Sequence, residues 1–196
     1  LPNPSSGVNP EHLQYFRFAG KIIARSIIQE NCVNAHLTTS FLRQILHQQI
    51  EFDDLKRDDE VMYKSFQDLL NNDADPLMLN FIADNNDFGD NKCIQLKENG
   101  DEIDVTNENK LEYAKLYISY KLRKSIFEQI TAFREGFNAL IPHEDIYMFS
   151  PKELDLIICG IGDIDISDLK RNAQYNSPYS SDHPVIKMFF NVISNW

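Results

Sequence analysis

The sequence predicts an α+β fold that is mainly α-helical, with a small helix-plus-hairpin subdomain set into a helical chain. Three observations predict it. Helical periodicity with capping residues fills the first fifty positions and resumes after residue 106. Between these stretches, residues 50–106 turn to Asp, Asn and Pro punctuation and short alternating runs. Asn99-Gly100 stands between two of those runs, where a tight hairpin requires positive φ angles.

In chain order, Asn9-Pro10-Glu11 has the makings of a helix start: a capping side chain, Pro at the first helical position, and an acid at the positive end of the dipole. Leu13, Phe16, Gly20, Ile23 and Ile27 follow at three- and four-residue steps. Ala19, Gly20 and Ala24 are small enough to admit a second helix closely. Thr38 or Thr39 opens a helix carrying Phe41, Leu42, Ile45 and Leu46, and Asp58-Asp59 opens another through Met62, Phe66, Leu69 and Leu70. Residues 77–82, 92–97 and 101–105 read as short strands, the last two joined at Asn99-Gly100. The Asp/Asn-rich run 84–91 reads as a solvated loop. Thr106-Asn107 caps a long helical stretch that should break near Lys124, where Ser125 to Glu128 fits a capping box. Ser150-Pro151-Lys152-Glu153 is a cleaner box. Gly160-Ile161-Gly162 then ends a helix at a glycine-rich hinge. A Ser167-capped helix, a Tyr/Ser/Pro loop and a helix from His183-Pro184 to Trp196 complete the chain. The expected organisation is a large helical subdomain (1–49 and 107–160), a small α+β subdomain (50–106), a hinge (160–163) and a further piece (164–196).

Charge and motifs exclude several function classes. Thirty acidic against 19 basic side chains leave a net charge of −11, which repels nucleic-acid phosphates and anionic membrane surfaces alike. No apolar run is long enough to span a bilayer, and the opening residues lack the features of a signal peptide. Three scattered cysteines argue for a reduced, cytoplasmic or nuclear setting. Phosphate-binding glycine loops and nucleophile elbows are missing. An EF-hand register from Asp84 fails because Phe88 and Gln95 fall where oxygen ligands belong. Cys32 and His36, four apart, lack a second ligand pair at zinc-like spacing. Cys93 and Cys159 read as small buried apolar residues. None of the three cysteines has a basic or histidine neighbour in sequence to activate it, and no metal or cofactor is expected.

What remains is an interaction surface. Val61, Met62, Phe66, Leu69 and Leu70 spread over about half of their helix, wider than a stripe that packs on one neighbour. Leu77 and Leu79 share one face of the strand expected there. Tyr113 and Tyr117, four apart, make an aromatic ridge, and aromatic residues are favoured at binding hot spots. Periodicity alone also accommodates a reading in which all of these side chains are core.

Several segments in order resemble the HECT domain of ubiquitin ligases. Residues 9–24, beginning Asn9-Pro10-Glu11-His12-Leu13, resemble the first long N-lobe helix of that family, and residues 106–113 and 132–137 (Ala132-Phe133-Arg134-Glu135-Gly136-Phe137) resemble its central helices. Phe149 to Gly160 is similar to the end of the N-lobe, and residues 175–191, with His183-Pro184-Val185-Ile186 and Phe189-Phe190, to the opening of the C-lobe. The resemblance implies a transferase that takes ubiquitin from a conjugating enzyme onto a C-lobe cysteine as a thioester and passes it to a substrate lysine. It implies that the conjugating enzyme docks on the small subdomain, at positions matching Met62, Phe66, Leu69, Asn72, Leu77, Leu79 and Tyr113. Asn72 departs from the aromatic that family members can carry there. The flexible connection between lobes corresponds to Gly160, Ile161, Gly162 and Asp163. The cysteine itself is expected in a Thr-Cys-Phe-like motif beyond Trp196, so no catalytic residue is assigned in this chain. Substrate proteins are expected to be chosen by regions outside it. The competing class is a non-catalytic helical adaptor on a HECT-like scaffold.

Overall fold

Helix α1 (His12–Ile28) begins two residues after the Asn9-Pro10 pair. The Asn9 side chain accepts from the Glu11 amide in a turn ahead of the helix, so its capping chemistry is spent one step early. In the computed structural model, residues 1–87, 90–160 and 166–194 are described. Side-chain placement is described outside 85–87 and 90–92. Residues 1–160 form one unit and 161–196 another.

In the first unit, α1 lies along α6 (Phe127–Asn138), and the small residues explain how. A methyl group on Gly20 would run into the carbonyl oxygen of Phe133, and one on Gly136 into that of Arg17. The two backbones touch at reciprocal glycines, and Arg17 pairs with Glu135 at the edge of the crossing. Helix α2 (Thr39–Ile45) is capped by Thr38 and, with α7 (His143–Ile146) and α8 (Pro151–Cys159), closes a first core. Ile23, Phe41, Leu42, Ile45, Phe133 and Phe137 fill it. The capping box at Ser150 forms as its residue pattern predicts, Ser150 and Glu153 exchanging side-chain and backbone hydrogen bonds.

A second core gathers Leu55, Phe66, Leu69, Phe81, Tyr113 and Leu122 from α3 (Leu55–Asp58), α4 (Glu60–Asn71), the strand segment and α5 (Lys110–Leu122). Here the structure departs from several expectations. The hairpin is β1 (Ile82–Asp87) paired antiparallel with β2 (Asp90–Gln95), with Ile82 opposite Gln95. The Asp/Asn-rich run is therefore largely ladder backbone, and of the strand expected over residues 77–82 only Ile82 belongs to one. Asp75–Leu77 is a 3-10 turn, and Met78 is left-handed at φ 47°. Asn99 does take positive φ, 54°, but it opens a second 3-10 turn, Gly100–Glu102, instead of a hairpin. Gly100 is buried there, with the Phe81 carbonyl where a Cβ would go. Residues 101–105 contribute only an isolated bridge, Asn80 to Asp104.

Helix α5 starts at Lys110, later than Thr106-Asn107, because Asn107 turns away to accept from the Ala74 amide and donate to Asp73. The break near Lys124 is present as a 3-10 turn, Lys124–Ile126. Ser125 does not cap α6; its hydroxyl donates back to the Lys121 carbonyl. Cys93 lies in its strand but is exposed, 3.7 Å from an Asp84 carboxylate oxygen. Cys159 is half-buried and Cys32 exposed, and no cluster able to hold a metal occurs among the described residues.

In the second unit, α9 (Ile166–Asn172) and α10 (Pro184–Ser194) pack on one another, with Lys170 over the ring of Phe190. Ser167 falls inside the first turn of α9 and not at its cap. Ile161, Gly162 and Asp163 of the expected hinge lie outside the described residues. Gly160 closes α8 at φ 73°, and a Cβ there would sit 2.8 Å from the Cys32 sulfur. No helix among the described residues is long and apolar enough to cross a membrane.

Candidate functional site: an aromatic cleft beside α4 and α5

Asp59 sets the site by capping α4 through the Met62 amide, which fixes the helical phase of everything after it. In that phase Met62, Ser65, Phe66 and Leu69 share one side. Tyr113 and Tyr117 meet them from α5. The turn after Asn72 brings in Leu77 and Leu79, and together these eight side chains line a cleft of about 360 Å³. Leu77 and Leu79 arrive by a 3-10 turn and a left-handed Met78, not by strand alternation. Pro76 in the turn and the Met78 amide bonding to Asp75 hold that geometry.

Six of the seven sequence-derived positions therefore converge: Met62, Phe66, Leu69, Leu77, Leu79 and Tyr113. Asn72 does not join them. Its side chain donates to the Asp68 carbonyl as a helix-end bond, and its own carbonyl accepts from Lys110 at 2.6 Å. Ser65 and Tyr117 belong to the cleft but were not among the assigned positions. Tyr117 was legible as half of the aromatic ridge; Ser65 carries no signal, being a small polar residue that bonds back to Val61. Val61, at the edge of the apolar arc, is exposed, and Leu70 faces elsewhere.

The cleft wall is a set of packed rings. Phe66 lies 5.2 Å from Tyr117 and 6.2 Å from Tyr113, and Phe81 supports Tyr113 edge-on at 5.5 Å. Such pairs add about 0.5–1.5 kcal/mol each beyond their area. Phe66, Leu69 and Tyr113 are buried and form the floor, whereas Leu77 is half-exposed at the lip with Met78 beyond it. Burial, then Tyr117 and Asp84, pushes the Tyr113 phenol up to about 12. Burial, Asp84 and Asp59 raise Tyr117 likewise. Both phenols stay protonated at neutral pH and remain hydrogen-bond donors. An aromatic floor, aliphatic side chains at the lip and two protonated phenols thus line one cleft. The cleft holds no nucleophile–base pair.

Comparison with known proteins agrees on kinship along the whole length. The family model described as "HECT-domain (ubiquitin-transferase)" matches residues 1–196. The chain is 41% identical over 195 residues to the E3 ubiquitin-protein ligase pub1 of Schizosaccharomyces pombe, covering 99% of this chain and 25% of that protein. It is 37% identical to the E3 ubiquitin-protein ligase RSP5 of Emericella nidulans, covering 99% of this chain and 24% of that protein. Against the probable E3 ubiquitin-protein ligase hulA of Neosartorya fischeri the identity is 38%, with the same coverage of 99% and 24%. The chain thus spans about a quarter of the length of these relatives. On a match of this extent, joined to a mainly helical α+β fold, the chain belongs to the HECT-domain (ubiquitin-transferase) family.

Proposed function

We propose that this chain is the part of a HECT-type ubiquitin ligase that receives the ubiquitin-charged conjugating enzyme, and that the cleft between α4 and α5 is where it docks. The observation that carries this reading is convergence: six positions taken from family resemblance, scattered over fifty residues of sequence, line one cavity. Its shape and chemistry suit an aromatic or aliphatic loop residue, the kind of anchor on which small interfaces depend. The ligase reaction is a double acyl transfer. A cysteine thiolate takes the ubiquitin carbonyl from the thioester of the conjugating enzyme, and a substrate amine then displaces that thiolate. No Thr-Cys-Phe motif occurs in these 196 residues. In this reading the chain contributes the docking platform for the charged conjugating enzyme to that reaction.

The test is conjugating-enzyme affinity in variants of two cleft-lining side chains outside the buried floor, Met62, which is partly buried, and Leu77, which is exposed at the lip. Met62→Ala and Leu77→Ala should each weaken binding about tenfold, the cost expected when an interface anchor is truncated. Tm should stay near that of the parent. Unchanged affinity in both folded variants would remove the cleft from the docking surface.

A further inference from the structure

A second cleft, of about 340 Å³, opens on the other side of α5 and shares no lining residue with the first. Its floor is apolar: Ile50 and Phe52 from the segment after α2, Leu70 from α4, and Ile118 from α5. Two cations, Lys115 and Arg123, stand at its rim. Their setting is unusual for this chain. Residues 110–124 carry Lys110, Lys115, Lys121, Arg123 and Lys124 against one acid, Glu112, in a protein whose net charge is −11. Glu112 is already paired with Lys97, and Lys110 is taken by the Asn72 carbonyl. Among the described residues neither Lys115 nor Arg123 has a carboxylate within 4.0 Å.

The positive edge continues past the rim. Arg134 follows on α6, where burial and then the charge of Arg123 hold its guanidinium below the usual value, and its Nε is buried without a hydrogen-bond partner. Arg134 in turn donates to His47, whose ring lies 4.1 Å from that of His143. Cationic side chains without counter-ions, bordering an apolar floor, pose a defined recognition problem. The complementary ligand has an apolar side chain to bury and carboxylates beside it. The acidic surface elsewhere repels such a ligand and steers it to this edge.

We propose that this second cleft docks an acidic peptide segment of a partner protein, its aromatic or leucine side chain seated on Ile50, Phe52, Leu70 and Ile118 and its carboxylates on Lys115 and Arg123. A peptide is favoured over an anionic membrane because the cationic edge is narrow and the rest of the molecule repels such a surface. The site is separate from the conjugating-enzyme cleft, and its failure leaves that assignment untouched.

The probe is a pool of fluorescein-labelled octapeptides that alternate Asp or Glu with Phe, Leu or Tyr, titrated with the full chain by anisotropy. A pool with Lys and Arg in place of the acids, and phosphatidylserine vesicles, form the other arms. The acidic pool should bind, the basic pool should not, and Lys115→Glu with Arg123→Glu should weaken binding at least about tenfold, as charge reversal at a recognition rim does. Both side chains are exposed, so the variants should fold, and unchanged far-UV circular dichroism verifies it. Met62→Ala should bind the acidic pool like the parent. No binding of the acidic pool, equal binding of the basic pool, indifference to the charge reversals, or binding to vesicles in preference to peptides would each overturn the proposal.

Discussion

Gly20 and Gly136 occupy a contact that no other residue type fits. Each places its missing Cβ against a carbonyl of the opposite helix, so even alanine must push α1 and α6 apart. Neither glycine has positive φ, and the cause is close approach alone. Gly136→Ala is expected to cost about 3 kcal/mol, the upper end of the usual range for overpacking a well-packed core. Urea unfolding monitored by circular dichroism measures it, and a loss near zero would mean the helices separate easily. His47 carries a different kind of strain. It sits at φ 56° after α2, and partial burial, Arg134 and His143 together hold its ring below the ordinary value of 6.5. The folded state thus prefers neutral His47, while the unfolded chain protonates near 6.5. Its contribution to stability is complete above that pH and is lost as pH falls below it. His47→Asn keeps a residue tolerant of left-handed backbone. Its Tm should fall less between pH 7 and 5 than the parent's does.

At the level of elements, adjacent aspartates divide the labour of capping. Asp59 caps its own helix, α4, as its position before a periodic run predicts. Asp58 instead reaches across to α2, accepting from the Thr39 amide at 2.8 Å and the Ser40 amide at 2.9 Å. Loss of a cap costs about 0.5–2 kcal/mol. Asp58→Ala removes two bonds and unties one helix from another, so it should fall at the upper end of that range and Asp59→Ala at the lower; paired thermal melts decide the order. The same contrast marks what the residue pattern could reveal. Helices with local caps, at Thr38, Asp59 and Ser150, were readable because the cap and the capped amide are three residues apart. The strands were not. Asn99-Gly100 is the strongest short hairpin signal in the chain, yet the ladder formed through the Asp/Asn-rich run, where β-propensity is poor. Pairing there follows the tertiary seat of Ala83, and of Phe81 just before the strand, on the second core, which no local window contains. The cleft lay between these extremes. Its width on α4 and its tyrosine ridge showed in periodicity, whereas the placement of Leu77 and Leu79 depended on Met78 adopting a left-handed turn.

Across the whole of residues 1–160, two cores are joined by few polar ties. Gln44, buried on α2, donates to the Leu122 carbonyl at 2.9 Å and toward the Ser40 carbonyl at 3.3 Å, bridging the first core to the end of α5. Asp58 adds the α2 cap. Arg43 lies 2.7 Å from the buried Asp54, close enough for an ion pair although its Nε–H is not aimed at the oxygen. A buried carbonyl that loses its donor costs about 1–3 kcal/mol, far more than the net worth of the bond it made. Gln44→Leu keeps the volume roughly constant and removes both bonds, so its effect should fall on the tie between the cores and not on either core itself. Native-state hydrogen exchange separates these possibilities, because α6 reports on the first core and α5 on the second. In the parent, the slowest amides of the two helices should open with one common free energy. In Gln44→Leu, α5 should lose protection while α6 keeps more of it, splitting a single cooperative unit into two. Equal loss in both helices would show that the two cores still open as one cooperative unit without the glutamine bridge, so that packing and not this bond joins them.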